Sequence, residues 1–363
     1  MKKRVTKQTV GRIARRTGLV LLTVVLLAVG GLYGVCQLVF NGPSESARDV
    51  LTMSLLEASA TKWVPGLFLG QEKVEEIREK VTTPLPEDIS SSNQIVIADG
   101  ILSQVSDEWK DYPDGIRIET VYGSTFTAHV MIVRDPSQVY LATSTEHFSL
   151  DIEGARLTKF FPKSGALAAI NAGAFNDDGT LGTYIGSLPL GLVISEGRVA
   201  WDDGSSCQGF VGFNKDNILI VANSMTAQQA MDLNIRDGCC FGPVLLMNGA
   251  VNQTEYASNS GYNPRTAIGQ RADGAVILVC IDGRQASSLG GTYRDIIDIM
   301  VEYGAVNACN MDGGSSSIML YRDTYGRYGE VGGIVRVNSM SMLQDSSRRM
   351  PTFFLVRGPE SEG

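Results

Sequence analysis

The sequence predicts a mixed α+β fold: a β-sheet domain with inserted helices and a C-terminal strand–helix–strand unit, preceded by an N-terminal transmembrane helix. Three observations predict it. Residues Gly18–Phe40 run 23 positions without a charge. From Gln94 onward, short runs rich in β-branched residues are separated by Gly, Asp, Asn and Pro, the signature of strands and turns. These strands cluster with a few helices between them and no repeat of fixed period, which suits α+β and not an array.

The first 17 residues carry Lys2, Lys3, Arg4, Lys7, Arg12, Arg15 and Arg16 and no acid, a basic tail. At about 1.5 Å per residue, Gly18–Phe40 spans a hydrocarbon core of about 30 Å. Bases before it predict a cytoplasmic N-terminus, with everything beyond Phe40 outside the cell. The competing reading is a cleaved secretory signal, whose apolar core runs about 7–15 residues before a small-x-small site. The longer run here, followed by "NGPSESARDV", favours an uncleaved single-pass anchor. Residues 41–93 read as a helical stalk and linker. "SARDVLTMSLLEASATKW" sets Val50, Leu51, Leu55 and Ala58 at helical spacing, "QEKVEEIREKV" continues as a charged helix, and "TTPLPEDISSSN" is rich in Pro and Ser.

Residues 94–363 form the predicted extracellular domain. "NQIVIADGI", "GIRIETVYG" and "FTAHVMIVRD" read as strands, with "DPSQ" and Glu196-Gly197 as turns. "FVGFNKDNILIVANS" is a further hairpin. "TAQQAMDLNIRDG" opens on a Thr226…Gln229 capping box and is predicted helical to near Gly238.

Charge narrows the function. Beyond Phe40 the chain carries 24 bases against 39 acids, a poor match for a nucleic acid, so no nucleic-acid partner is expected. An anionic substrate would need a local cationic pocket. Cys280 and Cys309 sit in apolar runs and read as core, whereas Cys207 with Cys239 or Cys240 could bridge in an oxidising exterior. Two histidines, His129 and His147, exclude a His-rich metal site, and a Ser-His-Asp triad would have to use one of them.

The chemistry-bearing segment is "GAVILVCIDGRQASSLGGTYRDIIDIMVEYGAVNACNMDGGSSS". Val276 to Ile281 reads as a strand ending at Asp282. Thr292 caps a helix with Tyr293, Ile296, Ile297 and Met300 on one face, and Gly304 stops it. "AVNACNM" leads into Asp312, thirty positions after Asp282. Taken alone, Asp-Gly between apolar runs is an ordinary tight turn. As a crossover between neighbouring parallel strands, the unit would instead project both aspartates from one sheet edge, where ligands of open sheets collect.

Other residues join them. Arg265 and Thr266 in "NPRTAIGQ", and Arg284 in "DGR", are candidates, with a solvated surface arginine as the bland alternative. Asn171 ends the apolar run of "AAINAGAFND", and Phe175 is either core or a sugar-stacking platform. Arginine suits phosphate, and paired carboxylates suit departure of a sugar through an oxocarbenium-like state. The expected roles are Asp282 and Asp312 at the sugar carbon, with Arg265 and Arg284 on the phosphate. Backbone N–H groups of Gly313 and Gly314 would help.

The ordered set "HVMIVRDPSQV", "AAINAGAFND", "GLVISEGRV", "FGPVLLMNG", "NPRTAIGQ", "VCIDGRQASSLGGT" and "NMDGGSSSIML" resembles the phosphodiester glycosidase family, over roughly residues 120 to 357. Its bacterial branch carries the label exopolysaccharide biosynthesis protein. The resemblance implies hydrolysis of a sugar-1-phosphodiester and carries over Asn171, Arg265, Thr266, Asp282, Arg284, Asp312, Gly313, Gly314 and Ser315 as pocket residues. Ala172, where the family has glycine, and Met311, where leucine is commoner, depart from its pattern. The expected partners are a phosphodiester-linked glycan or wall polymer and, through the anchor, the membrane. No cofactor is required by this reading. In an alternative, Asp282, Asp312 and Asn171 hold a divalent cation and the P–O bond breaks. In a third, the crevice binds wall polymer without turnover.

Overall fold

The computed structural model describes residues 7–57, 61–79, 88–97, 107–176, 185–205, 209–252, 260–339 and 348–358. It divides into two compact units, Met1–Ile77 and Arg78–Gly363. The first holds α1 (Lys7–Phe40), α2 (Glu45–Leu56) and α3 (Pro65–Phe68), and α4 (Gln71–Glu79) runs across the boundary. The Arg15–Phe40 stretch of α1 is long and apolar enough to cross a membrane, and residues 15–35 are exposed. The Ser44 hydroxyl accepts from the Ala47 N–H to start α2, and Phe40 stacks on Phe68 at 4.9 Å.

The second unit is built from antiparallel sheets. The largest has seven strands: β1 (Ile116–Tyr122), β2 (Thr127–Val133), β14 (Val276–Ile281), β13 (Arg265–Arg271), β15 (Ala305–Met311), β11 (Val244–Met247) and β12 (Ala250–Val251), in that spatial order. A second orders β7 (Arg198–Asp202), β6 (Leu192–Ser195), β10 (Ile235–Cys240), β8 (Phe210–Asn214) and β9 (Leu219–Ala222). The third orders β17 (Gly333–Arg336), β16 (Met319–Asp323), β5 (Ala168–Asn171), β19 (Thr352–Val356) and β3 (Val139–Thr143). A two-stranded pair joins β4 (Ala155–Arg156) to β18 (Arg349–Met350).

Strand alternation explains how three sheets share one interior. Every second residue points inward: Met131 and Val133, Leu278 and Cys280, Ile268, and Cys309 and Met311 come from the first sheet. Val211, Phe213 and Val221 come from the second, and Ile170, Met319, Tyr321 and Phe354 from the third, all in one buried cluster. The alternate residues meet helices outside. α5 (Leu157–Ser164) buries Leu157 and Phe161 against Ala169, Phe353 and Leu355. α6 (Ala227–Asp232) sets Ala230 against Ile194, Phe210 and Ile220. α7 (Tyr293–Glu302) covers the first sheet, where Gly269 leaves room for Met300.

Several expectations are met locally. Glu196 and Gly197, with φ of 52° and 71°, make the β6–β7 hairpin turn, the Thr226 capping box forms, and Thr292 caps its helix, there too with a reciprocal bond from Asp295. Two differ. The helix opened by Thr226 stops at Asp232, because Asn234 turns to positive φ and Ile235–Cys240 pairs into a sheet. Gln94 closes a 3₁₀ turn and 95–97 form no strand, while Ala98–Ile101 lie outside the described residues. Cys280 and Cys309 are buried thiols. Cys239 is also a free thiol and Cys240 is disulfide-bonded; Cys207 lies outside the described residues.

Candidate active site

The strand–helix–strand unit forms, with a correction: β14 and β15 run parallel but are not neighbours. β13 lies between them, antiparallel to both. At roughly 4.8 Å per strand interval, their ends stand about 10 Å apart. The insertion brings in the start of β13. Arg265 pairs with Ile281 on one side, and Thr266 pairs with Met311 on the other.

Register then turns one end of the core polar. His129 lies opposite Cys280, Cys280 opposite Thr266, and Thr266 opposite Met311, forming one row across four strands. Cys280 and Met311 belong to the interior cluster, so the pleat points His129 and Thr266 to the same side, and Asp282 follows Cys280 by two. Burial pushes the Cys280 thiol far up, which keeps it protonated and inert as a nucleophile.

A buried hydrogen-bond network links the ends of three elements. Asn171, fully buried at the end of β5, donates its side-chain N–H to the Asp312 carbonyl at 2.5 Å. Its Oδ1 accepts from the Thr266 hydroxyl at 3.1 Å and from the Ile318 N–H at 3.1 Å. Thr266 Oγ1 also lies 3.2 Å from Ser317 Oγ, and Asn338 donates to the Ser317 carbonyl. The next residue, Ser339, donates its N–H to Asp282 Oδ1 at 2.8 Å. On its other side Asp282 Oδ2 lies 3.2 Å from His129 Nε2. The main chain of Asp312 is pinned further, its N–H donating to the Ala172 carbonyl.

Two arginines flank the Gly313–Ser315 loop. Arg284, at φ 57°, donates to Asn263 Oδ1, and its guanidinium lies so near Gly314 that an added Cβ would come 3.1 Å from Nη2. Arg348 donates to the Ser315 hydroxyl at 3.3 Å. Ser316 Oγ and Gln285 Nε2, in the loops after β15 and β14, are buried without a protein hydrogen-bond partner.

A sequence profile of the phosphodiester glycosidase family matches residues 164–357, more than half of the chain. The chain belongs to the phosphodiester glycosidase family. The chain is also 26% identical over 191 residues to an uncharacterized SPbeta prophage-derived protein, YomE, of Bacillus subtilis (strain 168). That match covers 50% of this chain but only 27% of YomE. Among solved structures, it is similar to the catalytic domain of zebrafish N-acetylglucosamine-1-phosphodiester alpha-N-acetylglucosaminidase, auto-inhibited by its pro-peptide. TM-score is 0.49 and identity 18%, over 70% of this chain and 87% of that one. A hypothetical protein from Synechocystis gives a TM-score of 0.44 at 18% identity, covering 67% and 62% of the two chains. A putative exported protein from Burkholderia pseudomallei K96243 gives 0.42 at 16%, covering 64% and 74%.

In this family member the expected site residues divide. Asn171, Thr266, Asp312 and, through Ser317, Asn338 and Ser339, Asp282 are brought together, and Arg284 reaches the loop that carries Gly313 and Gly314. Arg265 is different. It faces α7, where it lies 4.1 Å over the Tyr293 ring, and its Nε and Nη2 donate to the carbonyls of Gly291, Ser260 and Gly261. Those carbonyls make it a brace of its own loops. Phe175 packs in the α5 core with the Arg348 guanidinium 4.9 Å over its ring. The Gly314 N–H donates to the Pro264 carbonyl at 2.8 Å, which commits the donor expected for phosphate. A cation held by Asp282, Asp312 and Asn171 would compete with contacts already made: Asn171 Oδ1 accepts two hydrogen bonds and both Asp282 oxygens have partners.

Sequence reasoning missed His129, Ser317, Asn338 and Arg348. For His129 a signal existed: it is one of two histidines, and it sits in a strand otherwise apolar from Ala128 to Val133. For Asn338 and Arg348 none did, since their neighbours in space come from distant segments.

Proposed function

We propose that this chain is a membrane-anchored extracellular hydrolase that cleaves a sugar-1-phosphodiester bond in a cell-surface glycan or wall polymer. The observation that carries this reading is the buried network tying Asp312 to Asn171 and Thr266 at the same sheet edge as Asp282. The chemistry follows from charge. Cleavage at the sugar carbon builds positive charge there, which a fixed carboxylate stabilises, and Asp312 has that role. The departing phosphate, with a second pKa near about 6, leaves with little need for protonation. Arg284 and Arg348 beside the Gly313–Ser315 loop supply the cations an anionic substrate requires in so acidic a domain. The apolar α1 supports anchoring, and the Cys240 disulfide is the chemistry of an oxidising exterior.

Turnover in heavy-oxygen water tests the bond assignment. Label is expected in the released sugar; label in the phosphate would mean P–O scission and would sink the glycosidase mechanism. Asp312→Asn is expected to lower kcat by about a thousandfold or more while the melting temperature holds. A variant that still releases sugar at the wild-type rate removes Asp312 from the chemistry.

A further inference from the structure

Asp282 is the less accessible of the two acids. Its side chain is 5% exposed, its Oδ1 accepts from the Ser339 N–H, and its Oδ2 faces His129 Nε2. Both oxygens are held. His129 is the more open member of the pair, with 12% of its side chain exposed. A buried carboxylate behind a more accessible imidazole is the arrangement by which an acid orients a proton-transfer group.

The charges around the pair bear on the protonation state. From β14 the ring faces Asp282 and the neutral Cys280 thiol. Opposite it on β1 stands Thr120, which is uncharged. From β17, Arg336 lies close enough for its charge and that of Asp282 to act on each other. Arg336 is thus a second cationic group on the Asp282 side of the pair. An ionised carboxylate only accepts, so Asp282 selects the tautomer with hydrogen on Nε2 and leaves the lone pair on Nδ1.

We propose that His129 is the proton-accepting catalytic residue of this site and that Asp282 is the positioning residue behind it. The proposal rests on the hydrolase reading and redistributes its roles: Asp312 acts at the sugar, and His129 acts at water. In the hydrolytic step the water oxygen bonds to the anomeric carbon while the bond from that carbon to the phosphate oxygen breaks. The bonding pair leaves with the phosphate, which becomes a monoester with one more negative charge, and the water proton passes to His129 Nδ1 and then to solvent. His129 lies outside the profile match at residues 164–357, although it opens the "HVMIVRDPSQV" run through which the sequence resembles the family.

Two arms test this on the full-length chain in detergent. The first needs no substrate. With two histidines in the chain, heteronuclear NMR resolves both rings, and His147→Gln assigns the one that remains. The neutral His129 ring is expected to carry hydrogen on Nε2, and Asp282→Asn is expected to change that tautomer or lower the ring pKa. A ring protonated on Nδ1, or one blind to Asp282→Asn, overturns the pairing. The second arm uses a synthetic sugar-1-phosphodiester. His129→Gln is expected to lower kcat about a hundredfold to ten-thousandfold, to leave KM nearly unchanged and to remove the acid limb of the pH profile. Imidazole in solution is expected to restore part of the rate of His129→Ala, which a merely structural histidine would not allow. Wild-type kcat and an intact acid limb in His129→Gln overturn the proposal. A wild-type chain that releases no sugar overturns the hydrolase reading instead, and the NMR arm still decides the pair.

Discussion

Thr266 shows what a single buried hydroxyl does here. It is fully buried and stands between Asn171 Oδ1 and Ser317 Oγ, so it couples the start of β13 to the end of β5 and the approach to β16. Thr266→Val keeps the shape and removes the donor. Stranding part of Asn171 in this way is expected to cost about 1–3 kcal/mol in a urea titration, and to lower turnover through a displaced Asp312 main chain. A variant as stable and active as wild type would show that the network is incidental. Asp323 makes the same point with charge. Burial pushes its carboxyl up, but the N–H groups of Tyr328, Arg327 and Gly329 outweigh that and hold it below the usual carboxylate range. Because its folded pKa is depressed, its contribution to stability is complete above the unfolded value of about 3.9 and is lost as pH falls through the lower folded value. Denaturant titrations from about pH 6 down to about pH 2 should show that acid loss, and Asp323→Asn should remove this share of it.

At the scale of elements, α7 and its approaches hold the β14 and β13 ends in place. The Thr292 hydroxyl accepts from the Asp295 N–H, and the Asp295 carboxylate accepts back from the Thr292 N–H. Thr292→Ala is expected to lower stability by about 1 kcal/mol, read as a shift in unfolding midpoint without a change in slope. Just before it, Gly290 has φ 125°, and an added Cβ would lie 2.5 Å from the Asn263 backbone nitrogen. Gly290→Ala therefore pushes the loop of Arg284 away from the loop of Arg265. Its effect should exceed that of the cap variant in both stability and turnover, and a smaller effect would mean that these loops can separate without consequence.

For the molecule as a whole, the three sheets close around one apolar interior whose polar end carries the candidate site. The second unit contains that interior entirely, so a chain lacking Met1–Ile77 is expected to fold with a cooperative thermal transition in aqueous buffer. The full-length chain should instead sediment with membranes. Reduction is expected to lower the melting temperature of both forms, because Cys240 is cross-linked. A shortened chain that aggregates without a transition would show that the first unit is part of the fold.

The legible part was local. Alternation, helix caps and Gly-containing turns marked β2, β8, β9, β14, β15, α7 and the β6–β7 hairpin, because those signals depend on residues within a few positions. Spacing also placed Asp282 and Asp312 at corresponding ends of two strands. Which strand lies between them was decided by pairing, since β13 joins β14 through a short turn but meets β15 only across a long separation, and pairing set the rest. It inserted β13, turned Arg265 toward α7 and Thr266 toward the interior, and brought His129 from β2 to Asp282. Ser339 and Arg348 came to the site from segments with no motif at all. A period in the chain says which side of a strand a residue takes; only the order of strands in the sheet says what it meets there.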